Sequence, residues 1–153
     1  MSCWLFKSEP DCYGIEDLAR DKRTHWDGVR NYQARNMLRD EVKKGDVVLF
    51  YHSNCDEPGV AGVAEVVKEG YPDPSAFDPE DAHFDPKGDP DAPRWFVVDI
   101  RFKRRLNRVV TLSELKNDDR LDGFQLLKRG NRLSVMPVSK THCNIVLALE
   151  TKG

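Results

Sequence analysis

Two nearly unbroken apolar runs, Val47–Tyr51 and Val60–Val67, constrain the fold more than any other feature of this chain. Both are rich in β-branched and aromatic residues, and a strand that is apolar on both faces belongs in the middle of a sheet. The intervening loop contains Asn54, Pro58 and Gly59, so antiparallel strands are expected over Asp46–His52 and Val60–Lys68. A further strand is expected at Trp95–Leu106, where Trp95, Val97, Asp99 and Arg101 alternate with Phe96, Val98, Ile100 and Phe102. Shorter strands are expected at Cys3–Ser8, closed by Pro10, and at Leu133–Val138, whose Pro137 suits an edge or a bulge.

Helical signals lie between these strands. Ile15–Arg20 carries Ile15, Leu18 and Ala19 on one stripe, and Asn31–Val42 places Ala34, Met37, Leu38 and Val42 at helical spacing. Asn31 can cap the second of these, and Gly45 can stop it. Thr111-Leu112-Ser113-Glu114 is a capping box for a short helix at Leu112–Asn117. Phe124–Leu127 reads as a helical turn ended by Gly130, and Ser139 caps a closing helix through about Leu149. Strands and short helices without βαβ regularity argue for an α+β domain spanning 1–153, a small curved sheet or barrel with helices around it.

The net charge of −2 conceals a division along the chain. Residues 51–100 hold 3 Lys/Arg against 12 Asp/Glu, whereas residues 101–153 hold 12 against 5. The basic half could form one face for nucleic acid while the acidic segment repels it elsewhere. Equally, both could be ordinary solvated surface. The acidic stretch from Glu69 to Arg94 contains six prolines and reads as an irregular excursion. No segment has the roughly 20 apolar residues of a membrane helix, and the start of the chain lacks a secretory pattern, so a cytoplasmic protein (nuclear in a eukaryote) is expected. Four cysteines and four histidines are scattered without metal-ligand spacing, so neither a metal site nor a cofactor is expected.

Four segments carry more polar and aromatic chemistry than packing requires: Phe6–Pro10, Trp26–Asn36, Leu49–Asn54 and Arg129–Pro137. In the second, Trp26 lies in a turn ahead of a helix start crowded with Arg30, Asn31, Tyr32, Gln33 and Arg35. Free backbone N–H groups and the positive dipole end point there too. Amides that pair a donor with an acceptor match the edge of a nucleobase, and an aromatic wall beside them holds a planar ligand. The competing reading makes Trp26 and Tyr32 core residues beside a capped, solvated helix start. His52 ends a strand without an evident nucleophile or orienting acid nearby, so a turn-stabilising histidine is favoured over a general base. Arg129 and Arg132 flank a Gly-Asn turn and suit either phosphate contact or plain surface.

These segments, in this order, resemble the EVE domain family of the PUA-like superfold. The resemblance rests on Lys7-Ser8-Glu9-Pro10, Trp26–Asn36, Phe50–Asn54, Tyr71-Pro72-Asp73-Pro74 and Arg132–Val138, and covers almost the whole chain. A weaker similarity to YTH domains, which hold a methylated adenine in an aromatic cage, is carried by Lys7-Ser8, Trp26 and Gly62-Val63-Ala64-Glu65. The resemblance implies a PUA-like pseudo-barrel of mixed, mostly antiparallel strands surrounded by short helices. It also implies a cleft that recognises a modified base in nucleic acid, such as methylated or hydroxymethylated cytosine. Because family members elsewhere are joined to nucleases, a separate effector protein is expected to act downstream.

Transferred to this chain, the resemblance implies that Trp26 and Tyr51 wall the pocket. Lys7, Ser8, Asn31, Gln33, Ser53 and Asn54 become the polar contacts to the base, with Ser134 and Met136 beneath or beside it. Arg30, Arg35, Arg129 and Arg132 become the phosphate contacts. On this reading Trp26→Ala should abolish base binding and leave the fold intact. Two other functions remain in view. One is an enzyme acting on a small ligand or nucleotide with His52 or Lys7 as the acid–base group; the other is a protein-interaction domain anchored by Trp26 and Trp95.

Overall fold

In the computed structural model, which describes residues 1–151, the chain forms one six-stranded mixed sheet with short helices packed against it. Its strands are β1 (Cys3–Ser8), β2 (Arg23–His25), β3 (Val47–His52), β4 (Gly59–Pro72), β5 (Phe96–Thr111) and β6 (Val135–Val138). They lie in the order β2-β5-β4-β3-β1-β6. The helices are α1 (Pro10–Tyr13), α2 (Ile15–Asp21), α3 (Tyr32–Asp40), α4 (Leu112–Lys116) and α5 (Lys140–Leu149). This is the expected α+β fold of mixed, mostly antiparallel strands.

The two apolar runs do occupy the sheet's centre and pair antiparallel, Val47 opposite Glu65 and Leu49 opposite Val63. The β4–β5 pair runs well past the expected ends, because Gly59 and Val60 continue the ladder to Thr111 and Val110. Its register shifts at four places between Val60 and Tyr71. Each irregularity bends and twists the pair, which curves the sheet toward a barrel. The edge strand β2 is an addition that the sequence did not announce. Three residues carry too little periodicity to read, and they are ordered by pairing with Asp99–Arg101.

Helix α3 starts where its cap predicts, with the Ala34 N–H donating to Asn31 Oδ1 at 3.0 Å, and it buries Ala34, Met37 and Leu38. It stops at Asp40, short of the expected Val42; Gly45, at φ +93°, serves instead in the turn entering β3. The Thr111–Glu114 capping box forms as read. Pro137 lies opposite Trp4 on the edge strand β6, where a missing N–H costs no ladder bond. The start and end of the fold meet where the buried thiols of Cys3 and Cys143 lie 2.7 Å apart.

Strands β1 and β3 are parallel, with Ser8 beside His52, so both finish at the same end of the sheet. Antiparallel β6 begins at that end. The Ser53 N–H donates to Ser8 O and the Lys7 N–H to Ser134 O, which brings three distant segments side by side.

Candidate functional site

At that shared end lies a cleft of about 610 Å³. It is lined by Lys7, Ser8, Glu9, Cys12 and Tyr13 from the first segment and by Thr24 through Val29 from the second. Ser53, His83 and Arg132–Ser134 complete it. Trp26 forms part of the wall although only 7% exposed, packing at 5.3 Å on Phe6 and edge-on at 5.5 Å on Phe50. Phe6 and Phe50 are register partners in β1 and β3, so the indole rests across the parallel pair. The alternatives of cleft wall and core residue are therefore both true of Trp26. The expectation that Trp26→Ala leaves the fold intact does not survive this packing.

The polar lining is held by named bonds. Ser8 Oγ donates to Tyr13 O at 2.6 Å, which leaves the hydroxyl oxygen able to accept. Lys7 is half-buried, with its Nζ 5.9 Å from the Tyr51 ring centre, and burial lowers its affinity for a proton. Glu9 accepts from Asn54 Nδ2 at 3.1 Å, and His25 Nε2 approaches Asp27 at 3.4 Å. Tyr13 donates to Asp21 at 2.9 Å; burial and then that bond push its hydroxyl up to about 12, so it stays a neutral donor.

The acidic excursion folds back to complete the rim. Asp73 is fully buried and accepts from the Gly28 N–H at 3.0 Å, from Arg30 Nη1 at 2.9 Å and from Ser75. Arg30 also donates to the His83 carbonyl, so the excursion is tied to the Trp26–Gly28 turn. Gly28 sits at φ +77°, and a Cβ there would fall 2.6 Å from the His83 ring, so both the turn and the close approach require glycine.

Of the expected contacts, Lys7, Ser8, Trp26, Ser53, Ser134 and Arg132 come together in this cleft. Asn31, Gln33 and Arg129 line a neighbouring hollow of about 320 Å³ that shares Arg132 and Leu133 with it. The others lie elsewhere. Tyr51 is buried beneath Lys7 and does not line the cleft, whereas Tyr13 does. Met136 is fully buried in β6, where side chains that point inward pack the sheet. Asn54, at φ +53°, braces Glu9 from outside. Arg30 is committed to Asp73, and Arg35 donates to the Arg94 carbonyl and lies over the Tyr32 ring.

Two of the groups named for the competing functions are engaged elsewhere, while Lys7 stays in the cleft. His52 Nε2 accepts the Ile15 N–H at 3.0 Å, and burial depresses its affinity for protons, so it caps α2 as a neutral imidazole. Trp95 is buried, stacked at 4.9 Å on Tyr32 and bonded to Asp85, which leaves little ring for a protein partner. Sequence reading missed Tyr13, His25 and His83. No periodicity marks them, and the last is brought in only by the Asp73 anchor. Part of the basic half is held in ion pairs: Arg101 meets Glu65 of the acidic segment, and Arg104, Arg105 and Arg108 meet Glu150, Glu16 and Glu114. No helix among the described residues is long and apolar enough to cross a membrane.

Comparison with known proteins places the chain. The EVE domain pattern matches residues 2–149. Thymocyte nuclear protein 1 of Danio rerio is 45% identical over 169 residues, covering 99% of this chain and 73% of that protein. A crystal structure of a Pseudomonas syringae protein superposes with a TM-score of 0.94 at 46% identity, covering 97% of this chain and 99% of its own. The human THYN1 protein, crystallised in complex with DNA containing 5-methylcytosine, also gives 0.94 at 42% identity, covering 100% and 99%. On pattern, identity and fold together, this chain belongs to the EVE domain family.

Proposed function

We propose that the chain is a nucleic-acid-binding module whose cleft receives one modified base, with 5-methylcytosine the best match. The observation that carries this reading is the composition of the cleft: an indole wall, a lysine, three serines and two carboxylates around about 610 Å³. A cytosine presents its N4 amino group as a donor, and Glu9 or Asp27 can accept from it. Lys7 can donate to the ring's acceptor atoms, while the serine hydroxyls adapt as donors or acceptors. The 5-methyl group finds apolar contact with Trp26, Val29 and Leu133. Thymine carries the same methyl group but offers a carbonyl where cytosine offers an amine, so the carboxylates reject it. Human THYN1, 42% identical over the whole chain, was captured with DNA of this kind, which supports transfer of the reading.

A cleft of this shape takes a base only when it is extruded from a duplex or presented on a single strand. Arg132 at the rim is suited to the backbone that delivers the base. Binding is the whole activity on this reading, and a separate effector protein would act on the result.

The test is a titration of the chain with short single strands that differ in one base. Stronger binding of 5-methylcytosine than of cytosine, and of either than of thymine, is expected. Asp27→Asn with Glu9→Gln should erase the rejection of thymine. Equal affinity for all strands would remove the base-reading role.

A further inference from the structure

The neighbouring hollow has a character of its own. Its sides come from the start of α3, with Asn31 and Gln33, and from the segment Gln125–Leu133. Lys128, Arg129 and Arg132 stand exposed around it and form no ion pair among the described residues, unlike the arginines of β5, which meet glutamates. Three cations gathered at a concavity repel one another, and a bound anion relieves that repulsion.

The amides add a second, independent observation. Gln125 Nε2 donates to Asn131 Oδ1 at 3.1 Å, and the Leu133 N–H approaches the same oxygen at 3.4 Å, which fixes the hollow's floor. Asn31 spends its oxygen on the Ala34 N–H. Gln33, by contrast, is exposed and its amide makes no hydrogen bond with a described residue, so donor and acceptor both remain open beside the cations.

We infer that this hollow is a second nucleotide subsite, which takes a purine adjoining the modified base in the same strand. This rests on the base-reading role of the main cleft and adds a sequence-context reader to it. The shared Arg132–Leu133 wall gives the connection, because a strand that inserts a base on one side of Arg132 carries its next phosphate to the other. Lys128 and Arg132 hold that phosphate. Gln33 and Arg129 face the base edge: a glutamine amide matches N6 and N7 of adenine, and a guanidinium matches O6 and N7 of guanine. A pyrimidine lacks the N7 acceptor that both side chains use.

The experiment is fluorescence anisotropy of the intact chain with single strands, varying the bases on either side of a central 5-methylcytosine or cytosine over a salt series. A roughly tenfold preference for a purine on one side is expected from one bidentate contact. Gln33→Ala should flatten the preference for adenine, and Lys128→Ala should lower the slope of log affinity against log salt by about 0.7. Both residues are exposed, and thermal melting confirms that the variants fold. No neighbour preference in the unaltered chain, or a preference for adenine that Gln33→Ala leaves in place, overturns the inference. The neighbour effect is measured with either central base, so its failure is distinguishable from a failure to read 5-methylcytosine itself. Because single strands have no opposite strand, a preference seen only with duplexes would also overturn it.

Discussion

Arg30 and Asp73 meet at 2.9 Å, 43 residues apart, and join the helix-start turn to the acidic excursion through a carboxylate with no exposed surface. Removing one partner of such a pair strands the other, at a cost of about 3–5 kcal/mol. Arg30→Ala should therefore lower stability in urea denaturation by an amount of that order. The salt dependence of nucleic-acid binding should stay unchanged, since this guanidinium is not offered to phosphate. A lower salt slope with unaltered stability would return Arg30 to the backbone contacts.

Acid should undo the same anchor. Burial drives the Asp73 carboxyl upward, but bonds from Ser75, the Gly28 N–H and Arg30 outweigh it and hold it below the usual range. A depressed carboxylate contributes stability above its unfolded value, near pH 3.9, and loses it as pH falls through the folded value. The unaltered chain should lose stability steeply below about pH 4. Asp73→Asn should be weaker at neutral pH and flatter on the acid side, as followed by thermal melting across pH.

His52 gives a test at milder pH. Its Nε2 accepts the Ile15 N–H, and burial holds its proton affinity below that of a free imidazole. The sign follows: the unfolded chain takes up the proton first, so this stability is present above about pH 6.5 and declines as pH falls through the folded value. His52→Ala should cost about 1–2 kcal/mol at pH ~8 and less at pH ~5.5. A histidine that served only as an exposed base would show no such penalty in melting experiments.

Trp26 is both wall and core. Trp26→Ala should cost about 3–5 kcal/mol, because the indole fills the space above Phe6 and Phe50. Loss of binding in that variant would then report unfolding as much as a missing surface. Trp26→Phe, which keeps an aromatic ring over the parallel strands, should melt close to the unaltered chain and bind a 5-methylcytosine strand more weakly, by up to about tenfold, if stacking is worth roughly 1–3 kcal/mol. Chemical denaturation run beside the titration separates the two effects.

Local patterns made the elements legible before the structure was known. The apolar runs at Val47–Tyr51 and Val60–Val67, the Asn31 cap, the Thr111–Glu114 box and the edge placement of Pro137 are all decided by a few neighbouring residues, and each appears as read. The three-residue strand β2 was invisible because only its pairing with Asp99–Arg101 orders it.

The site divided along the same line. That Lys7, Ser8, Trp26, Ser53 and Ser134 are candidates for ligand contact could be read from side-chain type and motif. That they share one cleft depends on β1 and β3 being parallel and β6 starting at their common end. The tertiary structure alone tied Arg30 to the buried Asp73, put Tyr13 rather than Tyr51 in the cleft lining, and brought His83 to the rim. Periodicity and caps are short-range, whereas strand order and buried charge pairing join residues that the chain itself keeps far apart.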